Sequence, residues 1–250
     1  MEQEVPVSDV QFRSMARAVK IDHDSSETTV VDFRAQARSS HRPGEQPLHF
    51  NAATFSVAAP SRTVEFLIRL LDIVGSLTIL AIAFPLMLTA AVLVKLTSRG
   101  PVFYRQERVG KQGRTFDLYK FRTMIDNAEK HVGPVWAAKD DDRITPVGRV
   151  LRRTRLDELP QLYNILCGHM SLVGPRPERP FFVERHKALQ GARLVVKPGL
   201  TGLAQIRSFY DLKPAHKVKY DYLYIQNRSL LLNIYILLQT IPVLFTKKGW

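Results

Sequence analysis

The sequence predicts a mostly helical α+β chain: a membrane-inserted, re-entrant helix kinked at Pro85, joined to a compact cytoplasmic domain that carries a short β-hairpin. Three observations predict it. From Ile73 to Val94 there are 22 consecutive residues without a formal charge, dominated by Leu, Ile, Ala and Val. Basic residues flank that run on both sides, and Pro85 stands near its middle. After Gly100-Pro101, aromatic and charged residues alternate around Gly110 and Gly113, the pattern of a short hairpin.

Composition narrows the partners. The 250 residues are 45% hydrophobic and 24% charged, enough to bury a core. The formal net charge is +13. Residues 1–60 are net −2, with six basic and eight acidic side chains, so residues 61–250 carry +15. That surplus leaves nucleic acid, an anionic membrane or a phosphorylated substrate as partners. The single cysteine, Cys167, excludes an intrachain disulfide framework and a multi-cysteine zinc site. No two of the seven histidines stand three or four residues apart, so no helical pair awaits a metal.

Taken in order, residues 1–60 read as a poorly ordered extension with a linker at Ser39–Pro47, and they lack the apolar centre of a signal peptide. Residues 61–99 form the membrane-associated region. As a helix, Ile73–Val94 extends roughly 33 Å, enough to cross a hydrocarbon core of about 30 Å. A buried helix of a soluble core is the alternative, though such helices seldom run so long without a charge. Pro85 removes a backbone donor mid-run. Arg62 and Arg69 precede the run, and Lys95, Arg99, Arg105 and Arg108 follow it, so the positive-inside bias wants both ends in the cytoplasm. A hairpin entering and leaving through one leaflet satisfies both features; a kinked span with the N-terminal region outside is the alternative.

Residues 100–250 form the cytoplasmic domain. Its hairpin is followed by an expected helix at Thr123–His131 and a loop at Val132–Thr145 containing Asp140-Asp141-Asp142. Val147–Cys167 reads as helical, broken at Leu156-Asp157-Glu158-Leu159-Pro160, with Pro160 in a first helical turn and Asp157 near that helix start. Leu230–Phe245 is apolar, with Asn233 and Gln239 interrupting it. It suits a membrane surface or the core, and we assign it to the interface.

Asp157 and Glu158 stand among Arg149, Arg152, Arg153 and Arg155. Guanidiniums there would bind phosphates bidentately and keep a neighbouring carboxylate ionised. Read blandly, this is an acidic helix start neutralised by the preceding basic turn. The Asp140–Asp142 run reads as solvated loop.

A series of motifs changes that balance. Arg69-Leu-Leu-Asp72, the Pro85 helix, Gly100-Pro101-Val-Phe, Gln106-Glu-Arg-Val-Gly110 and Lys120-Phe-Arg-Thr-Met124 come first. Asp141-Asp-Arg-Ile-Thr145, Leu151-Arg-Arg-Thr-Arg-Leu-Asp-Glu-Leu-Pro-Gln161, Met170-Ser-Leu-Val-Gly-Pro-Arg-Pro-Glu178 and Pro198-Gly-Leu-Thr-Gly-Leu-Ala-Gln205 follow. In this order residues 61–250 resemble the bacterial sugar transferases, the monotopic phosphoglycosyl transferases. The resemblance implies transfer of a sugar-1-phosphate from a UDP-sugar to polyprenyl phosphate in the bacterial inner membrane, with UMP released, as the opening step of exopolysaccharide or surface-glycan synthesis.

By position, Asp157 matches the family's nucleophile and Glu158 its Mg²⁺ ligand, with Mn²⁺ able to substitute. Lys120 and Arg176 match phosphate-binding positions, and Asp221 another active-site position. Many relatives carry Arg where Phe209 stands, and Arg207, two residues earlier, is its candidate replacement. The same resemblance puts the catalytic domain on the cytoplasmic face, with membrane lipid as a partner and a homo-oligomer compatible with it. The competing readings are a membrane-tethered, non-catalytic scaffold of a polysaccharide assembly complex and a basic nucleic-acid binder. The scaffold must explain why Asp157, Glu158, Lys120 and Arg176 are all present. Nucleic-acid binding leaves the uncharged run without purpose, and no recognition motif is legible.

Overall fold

A computed structural model describes residues 61–129, 133, 141–207 and 214–245, the side chains of 214–217 and 245 excepted. The N-terminal extension, Asp140 and Phe209 lie outside these residues.

Helix α1, Arg62–Thr97, runs through Pro85 as one element of 36 residues, roughly 54 Å long at 1.5 Å per residue. Ser61 caps it, its hydroxyl accepting from the Val64 N–H at 3.4 Å. Its polar side chains stay compatible with an apolar run because Thr78, Thr89 and Thr97 donate back to the carbonyls four residues earlier. The buried residues Ile68, Asp72, Ser76, Ala83, Ala90 and Val94 recur in steps of four or seven and so form one stripe. Away from that stripe the helix is bare: Phe66, Ile82, Phe84 and Leu96 are each more than 60% exposed.

Both ends of α1 are tied to the domain that follows. Near its start, Arg69 donates to the Ile165 and Leu166 carbonyls at 2.6 and 2.8 Å, and Asp72 accepts from Ser171 Oγ and the Leu172 N–H at 2.8 Å. Past its end, Arg122 donates to the carbonyl and hydroxyl of Ser98, each at 2.8 Å. Gly100 wraps over that guanidinium with φ +113°. A Cβ there would fall 2.2 Å from Arg122 NH1, so glycine is required.

The expected hairpin forms. Strands β1, Phe103–Val109, and β2, Thr115–Phe121, pair antiparallel from Phe103↔Phe121 to Val109↔Thr115. Phe116, Leu118 and Lys120 share one face of β2 through the two-residue period, so the strand that buries two apolar side chains also sends Lys120 inward. Phe121, on the other face, packs with Ala90, Val94 and Leu151.

Thr123–Glu129 departs from expectation. No helix forms there; Met124 bridges antiparallel to Ile144, and a turn follows at Asp126–Glu129. The reason is that Thr123 and Ile125 hydrogen-bond residues Thr145 and Arg143, and the bidentate Arg143–Asp141 pair holds that partner segment in place. Tertiary pairing thus overrides local propensity.

Helix α2, Pro146–Arg153, starts with Thr145 as cap and Pro146 in the first turn. A single 3₁₀ turn, Leu156–Glu158, leads to α3, Gln161–Leu166, for which Pro160 is the cap residue. Strands β3, Ser171–Val173, and β4, Gly199–Thr201, pair parallel. Between them lie α4, Pro180–Arg185, and two 3₁₀ turns; after them come α5, Leu203–Arg207, α6, Pro214–Gln226, and α7, Leu230–Phe245. The main core joins β2, α3, β3, α6 and α7 through Leu118, Leu162, Met170, Leu172, Tyr224 and Ile236. Helix α7 is half in each of the two expected settings. Asn233 and Ile236 are buried, whereas Leu231, Leu238 and Ile241 are exposed.

Candidate active site

The site is built on a break in the chain. Arg155 adopts a left-handed conformation, φ 60°, at the end of α2. A non-glycine residue there is uncommon and turns the next three residues into the 3₁₀ turn that directs Asp157 and Glu158 inward. Both carboxylates are buried. Asp157 lies near the start of α3, as expected, in this turn ahead of the Pro160 cap.

Two cations meet one oxygen. Glu158 Oε1 accepts from Lys120 Nζ at 2.7 Å and from Arg176 at 2.7 Å. Lys120 comes from β2 and Arg176 from the Gly174-Pro175-Arg176-Pro177 turn after β3. Burial alone would raise the Glu158 carboxyl, but Arg176 and Lys120 outweigh it and hold the group well below the usual carboxylate range.

Asp157 behaves in the opposite way. Burial, opposed first by the Lys120 charge and then reinforced by Glu158, pushes it up to about 6; Arg152 and Arg176 pull downward. For Asp157 burial outweighs the neighbouring cations, and the geometry gives the reason. Arg149 and Arg153 face solvent, while Glu158 takes the direct contacts of Lys120 and Arg176. Of the four clustered arginines, Arg152 acts on the site: its Nε donates to Thr123 Oγ1 at 2.7 Å, and its charge reaches Asp157.

Asp221 belongs to a layer behind the turn. On α6 it accepts from Arg193 Nε at 2.7 Å, and Arg193 also donates to the Arg176 carbonyl at 3.0 Å. Asp221 therefore reaches the carboxylate turn through Arg193 and the backbone of Arg176. Arg193 was invisible in the sequence, where it stands outside every motif. Thr123 was legible only as part of Lys120-Phe-Arg-Thr-Met124. Arg207 ends α5.

No group of three or more acidic, His or Cys side chains suited to a metal occurs among the described residues. The two adjacent carboxylates are what the site offers a hard cation.

Comparison with known proteins gives consistent findings. The family model described as "Bacterial sugar transferase" matches residues 63–247. The chain is 42% identical over 207 residues to the UDP-N-acetylgalactosamine-undecaprenyl-phosphate N-acetylgalactosaminephosphotransferase of Aeromonas hydrophila, covering 80% of this chain and 49% of that protein. It is 43% identical over 191 residues to the UDP-glucose:undecaprenyl-phosphate glucose-1-phosphate transferase of Klebsiella pneumoniae, covering 72% of this chain and 40% of the relative. Over 195 residues it is 38% identical to the exopolysaccharide production protein ExoY of Sinorhizobium fredii, 72% of this chain and 86% of that one. The chain thus spans half or less of the first two relatives and most of the third.

Proposed function

Because this chain belongs to the bacterial sugar transferase family, we propose that it transfers a sugar-1-phosphate from a UDP-sugar to polyprenyl phosphate, the undecaprenyl carrier named in its relatives. The observation that carries this reading is the asymmetric carboxylate pair. Glu158 is held ionised by Lys120 and Arg176, and Asp157 beside it has no ion pair among the described residues and a raised pKa.

In the proposed reaction an Asp157 carboxylate oxygen attacks the sugar-bearing phosphorus. A new O–P bond forms as the diphosphate bridge breaks, and UMP departs with the bond's electron pair. The sugar phosphate remains on Asp157 as an acyl phosphate. A polyprenyl phosphate oxygen then attacks the same phosphorus, the acyl phosphate bond breaks and Asp157 is restored. Lys120, Arg152 and Arg176 line the path with positive charge that stabilises the transferring phosphoryl. Arg207 is proposed as a further phosphate contact and Asp221 as a positioning residue.

Both cationic contacts of Glu158 fall on Oε1. Glu158, with Asp157 beside it, would hold a hard cation such as Mg²⁺ or Mn²⁺, since carboxylate oxygens are the donors such ions take. When bound, the ion would draw charge from the diphosphate and ease departure of UMP.

The decisive experiment mixes enzyme with UDP-sugar labelled in the sugar and omits the lipid. A stoichiometric burst of UMP is expected, with label retained by the wild type but not by Asp157→Asn. UMP release only on adding polyprenyl phosphate, with no label retained at any quench time, would replace the covalent route by direct displacement. Excess chelator should abolish turnover, and Mg²⁺ should restore it.

The proposed setting is the bacterial inner membrane, with the domain facing the cytoplasm and α1 re-entrant. What supports this is that Arg69 and Asp72 near one end of α1, and Ser98 at the other, all bind the same domain. Cysteines placed by Ser61→Cys and Ser98→Cys in a Cys167→Ser background should both resist an impermeant thiol reagent in intact cells. Labelling of the first alone from outside would establish a span.

A further inference from the structure

The turn that presents Arg176 is fastened at four consecutive carbonyls. That of Pro175 accepts from the Gly199 N–H at 2.9 Å and that of Arg176 from Arg193 at 3.0 Å. The Pro177 carbonyl accepts from Arg108 NH1 at 3.3 Å, and the Glu178 carbonyl from the Val109 N–H at 2.9 Å. Pro175 and Pro177 have no N–H to give, so the carbonyls are what the fold can grip. Two of the four anchors come from neighbouring residues of β1, and through them the Gln106-Glu-Arg-Val-Gly110 motif reaches the turn of Arg176.

Arg108 is an unusual anchor. Its side chain is 17% exposed, its Nε is buried with no acceptor among the described residues, and the Glu178 carboxylate stands 3.9 Å from NH1. Burial, opposed by Glu178 and reinforced by the charges of Arg176 and Arg179, pushes the guanidinium down to about 10. A neutral amide could hold one carbonyl without the cost of a buried cation. What a cation adds is repulsion of like charge. It favours the Arg176 guanidinium turned to Glu158, which it meets at 2.7 Å, over one turned back to Arg108.

Strands β1 and β2 pair over seven residues, and Lys120, the other cation on Glu158 Oε1, lies on β2 opposite Tyr104. Both partners of that oxygen are thus referred to one hairpin, Lys120 by its own strand and Arg176 through Arg108 and Val109. We infer that Arg108 is a positioning residue for phosphoryl transfer: bound to the Pro177 carbonyl and repelling Arg176, it holds that guanidinium beside Glu158, in step with Lys120. The consequence for the rate rests on the transferase reading; the clamp itself does not.

The test compares wild type, Arg108→Met, Arg176→Gln and the double variant in the full chain, purified in detergent. Hydrogen exchange at residues 174–180, read by mass spectrometry, needs no substrate. Arg108→Met should speed it at least about tenfold, as loss of a hydrogen bond from a charged group does. UMP release from UDP-sugar with polyprenyl phosphate present, per folded molecule, should fall ~10²-fold, the effect of a reacting-site group misplaced by about 1 Å. In the Arg176→Gln background the same substitution should change UMP release by less than about twofold, because the residue it acts through is gone. A role in folding alone would act equally in both backgrounds. Arg105→Gln, on the same strand and paired with Asp117, is the control and should alter neither readout.

Equal losses of UMP release in both Arg176 backgrounds overturn the proposal, and so does exchange at 174–180 that Arg108→Met leaves unchanged. If the wild type releases no UMP, the transferase reading fails and the exchange measurement alone decides the clamp. Should Arg108→Met not fold, Arg108→Lys takes its place, since it keeps the charge but loses the planar fork of donors. A smaller loss that disappears in the Arg176→Gln background is then expected. No loss, or one that persists there, overturns the proposal.

Discussion

Two buried clusters of opposite charge meet at Arg176, and they are built on different plans. Behind the turn, Arg193 and Asp221 face each other at 2.7 Å, with side chains 5% and 3% exposed. Arg193 spends its remaining reach on the Arg176 carbonyl. In front of the turn, two cations converge on one oxygen of Glu158, and among the described residues Asp157 has no salt bridge of its own. The closed cluster satisfies its charges and holds a backbone in place. The lopsided one keeps a buried carboxylate unpaired and pushed up to about 6. Such local dissatisfaction is where chemistry is expected, because a fold optimised only for stability would have removed it.

Substitutions test this contrast. Asp157→Asn should lower turnover by ~10⁴-fold, as loss of a nucleophile does. Its melting temperature in detergent should hold or rise, since a buried charge disappears. A fall in stability equal to that of Asp221→Asn would erase the distinction between the clusters.

Glu158→Gln keeps the shape but loses the charge that Lys120 and Arg176 share, and should slow the reaction by roughly 10³-fold. Isothermal titration should show weaker Mn²⁺ binding in the presence of nucleotide sugar. Unchanged Mn²⁺ affinity would remove Glu158 from the metal.

Asp221→Asn should act mainly on stability, at about 3–5 kcal/mol, because Arg193 is left buried and unpaired. Turnover of the folded fraction should fall only ~10-fold, through loosening of Arg176. Replacing both partners, Arg193→Met with Asp221→Leu, should recover most of the stability.

Asn164→Ala sharpens the comparison at its smallest scale. Asn164 accepts from the Tyr119 N–H and donates to the Asp117 carbonyl, fastening β2, and with it Lys120, to α3. Its loss should cost about 1–3 kcal/mol in chemical denaturation, with a modest rise in KM.

Much of this was legible. The apolar run of α1 declared itself by length, and the hairpin by alternation with Gly113 at its turn. Lys120, Glu158 and Arg176 were each singled out, although only the structure brings them onto one oxygen. What stayed hidden shares a physical cause, long-range pairing between short segments. β3 and β4 have three residues each, too few for a readable period. The helix expected at Thr123–His131 yields to a bridge with Ile144. The upward shift of Asp157 depends on which arginines face inward, and a string of four gives no sign that Arg152 does so while Arg149 and Arg153 do not.

The separation between Asp72 and its partners imposes a schedule on the ribosome. Ser171 and Leu172 lie 99 and 100 residues downstream. At about 5–20 residues per second, roughly 5–20 s pass between synthesis of the apolar helix and synthesis of the residues that fasten it. During that interval the nascent chain must commit α1 to some environment with its carboxylate unsatisfied. On the membrane placement proposed above, the insertion machinery would meet a helix whose final posture is decided later, and a stalled or truncated message ending before Ser171 would leave it in whichever posture it took first.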